Sequence, residues 1–121
     1  MSRQAQGGPM ADKETIFTLG QKYCPDILAE TQEPKSAKEL SDILEVPIAT
    51  CYRRIEDLEA ADLLELHDRP LSDEHRRIKV YRRTVDGVEI GFRGGVQVSL
   101  DERSAARDRL DQVWRDVAAG S

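Results

Sequence analysis

Any reactive chemistry in this sequence has to come from two cysteines, two histidines and an uneven supply of arginine. Cys24 and Cys51 are too far apart to form a CxxC redox pair or a zinc knuckle. His67 and His75 do not complete a ligand set with them, so no metal site is expected. Cys24 stands directly before Pro25 at an expected helix start, where free backbone N–H groups favour a thiolate. Cys24 reads first as structural filler, with a redox role as the alternative. Cys51 falls on the inner line of an expected helix and reads as a small core residue. There is no glycine-rich phosphate loop, no Ser/His/Asp grouping and no carboxylate pair in an identifiable pocket. Neither an enzyme nor a cofactor is expected.

Arginine is the more informative signal. Arg outnumbers Lys 13 to 5, and the 23 acids divide into 12 Asp and 11 Glu. Between residues 67 and 83, Arg69, Arg76, Arg77, Lys79, Arg82 and Arg83 face Asp68, Asp73 and Glu74. Six cations against three acids give this stretch a charge of +3 on a chain of −5, which leaves −8 for the rest. Segregated positive charge of this kind either grips phosphate or is simply a solvated face. The many short carboxylates and few lysines fit a halophilic protein hydrated in concentrated salt, and equally a mildly acidic mesophilic domain.

At 121 residues with 39% apolar content, the chain has enough material for one core. No apolar run approaches the roughly 20 residues of a membrane span, and no signal-peptide pattern opens the sequence, so a cytoplasmic protein with no membrane partner is expected. Residues 1–11 are small, polar and broken by Gly7, Gly8 and Pro9, and are expected to form a disordered tail. A helix is predicted from about Asp12, with Ile16, Leu19 and Tyr23 as its apolar stripe, and a second after Cys24-Pro25 that carries Ile27 and Leu28 and stops near Pro34. Ser36 with Glu39 matches a capping box, and the helix they open places Leu40, Ile43 and Leu44 on one face. Val46-Pro47 breaks it. A fourth helix follows from about Pro47 to Ala61, with Cys51, Ile55 and Leu58 in line.

After Leu63 the apolar period changes from 3.6 to 2. Leu64 and Leu66, then Ile78 and Val80, predict two strands joined by a long charged loop. Asp86-Gly87 signals a tight turn and Arg93-Gly94-Gly95 another, with short strands near 88–92 and 96–100. Ser99 and Glu102 suggest a second capping box, opening a terminal helix over 101–119 with a seam of Leu110, Val113, Trp114 and Val117.

Helix, helix, short turn, helix and charged hairpin is the order of a winged helix-turn-helix, an α+β fold with added N- and C-terminal helices. It is assigned to residues 12–100, and 101–119 to a dimerisation helix. Within it, Ser36 to Leu66 has the spacing of two crossing helices, with Leu40, Leu44, Val46, Cys51 and Ile55 between them. The segments IATCYRRIEDLEAADLL (48–64) and VYRRTVDG (80–87) resemble the winged-helix transcriptional regulators of the ArsR and PadR type. The composition and the phrase PIATCYRR resemble their haloarchaeal members, among them a reactive-oxygen-species regulator. The resemblance covers about residues 13–92. It departs from many ArsR proteins in having no Cys/His cluster for sensing a metal.

The resemblance implies a homodimer on a pseudo-palindromic duplex operator, with helix 47–61 in the major groove, and it raises the oxidant-switch reading of Cys24. Ile48, Ala49, Thr50, Tyr52, Arg53 and Arg54 would face DNA. There, small residues admit the backbone to the bases, the Thr methyl can touch a thymine methyl, and Arg53 reads a guanine or grips a phosphate. Arg54 can instead pair with Glu56, Asp57 or Asp73. Ser36 and Pro47, at the helix starts, join the DNA set, as do Arg69, Arg76, Arg77 and Lys79 on the wing. The dimer seam would combine Ile16 and Leu19 with the terminal helix. An acidic binder gains little from counterion release in molar salt, so bridging cations such as K+ are expected between its carboxylates and phosphate. The competing class is a winged-helix protein–protein module in transcription assembly, which would show an apolar patch in place of the Thr50/Tyr52/Arg53 edge.

Overall fold

The computed structural model describes residues 9–103. Pro9–Leu19 forms helix α1 and Cys24–Glu30 helix α2. The chain reverses between them through Tyr23, whose φ of 77° takes it off the α1 stripe, and Pro25 occupies the first turn of α2, where a missing N–H costs nothing. The C-terminal end of α2 is satisfied by distant arginines. Arg83 donates from Nη1 to the Leu28 carbonyl at 3.1 Å, and Arg103 from Nη1 to the Gln32 carbonyl at 2.8 Å.

The pair Lys35–Ser36 makes a short strand, β1, and leads directly into helix α3, Ala37–Leu44. Its capping box is complete: the Ser36 hydroxyl accepts the Glu39 N–H at 3.0 Å, and Glu39 Oε1 accepts the Ser36 N–H at 2.8 Å. Glu45 ends α3 in the left-handed region (φ 56°), and the Ser41 hydroxyl donates to the Val46 carbonyl at 2.6 Å. Pro47 then caps helix α4, Ile48–Ala60, so only Glu45, Val46 and Pro47 separate the two helices. A turn this short forces them to cross. Leu40, Val46, Cys51, Ile55 and Leu58 are buried in the crossing, together with Cys24 and Ile27 of α2, and Leu44 packs against them.

Leu64–Asp68 (β2) and Val80–Arg83 (β3) pair antiparallel with Leu66 opposite Tyr81, and β1 adds to the far edge of β3, giving the order β1-β3-β2. Thr84 is the corner beyond β3: its N–H donates to the Leu63 carbonyl and its hydroxyl to the Asp62 carbonyl. A second hairpin follows, Val85–Gly91 (β4) and Gln97–Glu102 (β5), reversing at Gly94 and Gly95, whose φ values of 71° and 126° suit glycine. Helix α1 packs along β5, and the Asp12 carboxylate accepts the Val98 N–H at 3.2 Å. The architecture is an α+β winged helix-turn-helix.

Several expectations are corrected. Helix α1 begins at Pro9 rather than near Asp12, so the expected tail is shorter, and residues 1–8 lie outside the described residues. Ile43 is exposed, on the solvent side of α3, while Leu40 and Leu44, one turn apart, face the core. Asp86-Gly87 is no turn. The reversal lies at Gly94-Gly95, which leaves Asp86 and Gly87 inside β4 at a register shift, with Asp86 accepting from Arg83. Ser99 and Glu102 cap no helix, since both pair in β5 with Glu89 and Val85. The expected seam of Leu110, Val113, Trp114 and Val117 lies outside the described residues. On α1, Ile16 and Leu19 are half-buried within the chain, Leu19 against the core, whereas Phe17 is 71% exposed.

Candidate nucleic-acid interface

The two faces of α4 follow from its sequence. Cys51, Ile55 and Leu58, spaced at four and three residues, point into the core and hold the helix by apolar burial. The opposite edge emerges at the N-terminal end. Pro47, Ala49 and Arg53 are exposed, Ile48 is 39% and Tyr52 50% exposed, and Thr50 is half-buried. Arg53 makes no ion pair among the described residues and reaches solvent with its guanidinium free.

Arg54 is turned the other way. Its side chain is 17% exposed, and Nη1 donates to Asp57 Oδ2 at 2.6 Å and to Gln21 Oε1 at 3.3 Å. It ties α4 to the turn between α1 and α2 and leaves the candidate DNA set. Ser36 leaves it too, because its hydroxyl is buried and occupied in the capping box.

In the wing, Arg69, Arg76, Arg77 and Lys79 are exposed. The tip is an ordered loop around Ser72, whose hydroxyl accepts the N–H groups of Glu74 and Arg76, each at 3.2 Å, while the Ser72 N–H donates to the Arg76 carbonyl at 2.8 Å. The Arg77 guanidinium braces the two sides by donating to the Arg69 carbonyl at 3.2 Å. The other two arginines of the charged stretch serve the scaffold. Arg82 faces Glu65 across the strands at 3.7 Å, and Arg83 holds α2 and Asp86. The exposed stretch is therefore four cations against Asp68, Asp73 and Glu74. The long charged loop was legible in the sequence, and the place of Ser72 as its hub was not foreseen.

Tyr81 of β3 is a buried core member that the sequence did not single out. Burial raises its phenol pKa first, Glu59, Tyr52 and Glu56 raise it further, and Arg69 lowers it. Ser36, Lys38 and Glu39 face His67, Leu71 and Ile78 across a cleft of about 730 Å³.

Cys24 is fully buried, and burial pushes its thiol up to about 11, with Arg54 lowering and Asp57 raising it to a smaller extent. Burial fits the structural-filler reading of Cys24 and not the activated thiolate that is its alternative: loss of solvent outweighs the few N–H groups of a seven-residue helix. Cys51 is buried and its thiol is also raised by burial. Among the described residues, no three His, Cys, Asp or Glu side chains are grouped to hold a metal ion, and no helix is long and apolar enough to cross a membrane.

The family model for a helix-turn-helix domain matches residues 19–67, which run from the end of α1 to β2 and include both crossing helices. Domains of this kind are DNA-binding regulatory modules rather than catalysts. No curated protein sequence matches the chain significantly.

Proposed function

We propose that this protein is a sequence-specific transcriptional regulator of the ArsR/PadR winged-helix type, acting as a homodimer on a pseudo-palindromic duplex operator. The observation that carries the reading is the exposed edge of α4 at Ile48, Ala49, Tyr52 and Arg53, on a crossing helix pair that is followed by a hairpin loop bearing four exposed cations. An α-helix edge of this size fits a major groove about 12 Å wide, and flanking cations suit the phosphates on either side. In each subunit α4 reads bases, while Arg69, Arg76, Arg77 and Lys79 grip the backbone and fix the register. The acids interleaved on the wing, Asp68, Asp73 and Glu74, would take up K+ against the phosphates. An oxidant signal, suggested by the resemblance, would not be read by Cys24, whose thiol is buried and protonated.

The test is selection of duplexes from a randomised pool by the full chain. Enrichment of inverted half-sites about 10–10.5 bp apart, centre to centre, is expected for two recognition helices in successive major grooves. A pool that emerges unenriched contradicts the function.

A further inference from the structure

The bases that α4 is built to read follow from what its exposed edge lacks. With Arg54 bound to Asp57 and Gln21, the exposed residues at the start of α4 are Pro47, Ile48 and Ala49, none of which has a polar side-chain group, while Thr50 beside them is half-buried. Tyr52 and Arg53 follow one turn later, and Arg53 is the only cation on this edge. Beyond it come Glu56, exposed, and the partly exposed Asp57 and Glu59, which phosphate repels, so it is the N-terminal half of the helix that lies along the groove. At the floor of a major groove, an aliphatic side chain finds one complementary group, the C5-methyl of thymine. An arginine finds its best partner in guanine O6 and N7. From Ile48 and Ala49 to Arg53 is four to five residues, about 6–7.5 Å at about 1.5 Å per residue, or about two base-pair steps.

Resting on the assignment of α4 as the recognition helix, we infer that each half-site is a thymine step with a guanine about two base pairs away. Ile48 and Ala49 cover the thymine methyl groups and Arg53 holds the guanine. Specificity at the thymine step is therefore carried by shape and methyl burial, without a hydrogen bond.

The experiment uses the full chain and the duplexes it enriches, with each thymine of the half-site replaced in turn by deoxyuridine, which lacks only the methyl group. Affinity should fall about fourfold for each methyl that is covered, the factor expected from losing burial of one such group. The loss should be confined to thymines about two base pairs from the guanine. Ile48→Ala, at an exposed position, should abolish the uracil penalty at one thymine and leave the guanine requirement intact, whereas Arg53→Ala should do the reverse. Enriched duplexes that bind equally well with uracil throughout, or an Ile48→Ala protein that keeps every uracil penalty, would overturn the inference and leave the DNA-reading function standing. A pool with no enriched sequence would overturn that function and the inference with it.

Discussion

Arg53 and Arg54 are neighbours in the chain and face opposite ways, because a 3.6-residue period places one beside solvent and the other above the turn between α1 and α2. Removing them should have separable effects. Arg54→Ala abandons a 2.6 Å bond to Asp57 and a 3.3 Å bond to Gln21 at a largely buried position, and should cost about 1–3 kcal/mol in denaturant unfolding. Arg53→Ala should stay within about 0.5 kcal/mol of the parent protein in the same measurement. The direction of Arg54 was not legible in the sequence, since Gln21 lies 33 residues upstream and spacing identifies only helical neighbours such as Asp57. Cys24 carries a pH prediction. Its folded pKa of about 11 lies above the ordinary 9.0, so the protonated thiol stabilises the fold fully below pH 9, and that contribution is lost as pH rises toward 11. Thermal melting should be insensitive to this thiol from pH 7 to 8.5 and fall above pH 9, and iodoacetamide should label Cys24 slowly in the folded protein at pH 8. Rapid labelling there would contradict the burial argument.

At the scale of elements, the helices were legible because their signals are local. Ser36 and Glu39 sit three residues apart and make the reciprocal bonds that the pattern implies, and the same spacing rules place Leu40, Cys51 and Ile55 inside. Ser36→Ala should therefore cost about 1 kcal/mol in thermal or denaturant unfolding, mostly by fraying the first turn of α3, and a variant as stable as the parent would mean the box is ornamental. The second hairpin was half legible. Gly94 and Gly95 adopt the positive φ values their sequence promised, but Asp86-Gly87 carries the same turn signature and lies within a strand. Tertiary context decided between them: the Arg103 N–H donates to the Thr84 carbonyl, and pairing from Val85 to Glu102 requires a continuous β4. The two-residue β1 has no sequence signal, because it exists only through its pairing with Tyr81 and Val80.

For the whole molecule, the net charge of −5 contrasts with the requirement for phosphate contact. With Arg82 and Arg83 committed to the scaffold, the wing offers four cations interleaved with three acids, so the proposed DNA complex would release few counterions and take up some cations. Affinity for the enriched duplex should decline weakly with KCl, or stay level toward molar salt. A steep decline of about 10³–10⁵ between 50 and 200 mM would refute cation uptake. The proposed homodimer is expected to use Leu110, Val113, Trp114 and Val117, so a Leu110→Glu, Val113→Glu double variant should sediment as a monomer where the parent sediments as a dimer. The central claim is that α4 reads bases while the wing grips phosphate. Its most direct test compares Arg53→Ala with an Arg76→Ala, Arg77→Ala variant, measuring affinity for the enriched duplex and for random duplex at one salt concentration. Arg53→Ala should lose about 1–3 kcal/mol on the enriched duplex and almost nothing on the random one, while the wing variant weakens both alike. Equal losses on the two duplexes for Arg53→Ala would contradict the account, because α4 would then be gripping the backbone rather than reading sequence.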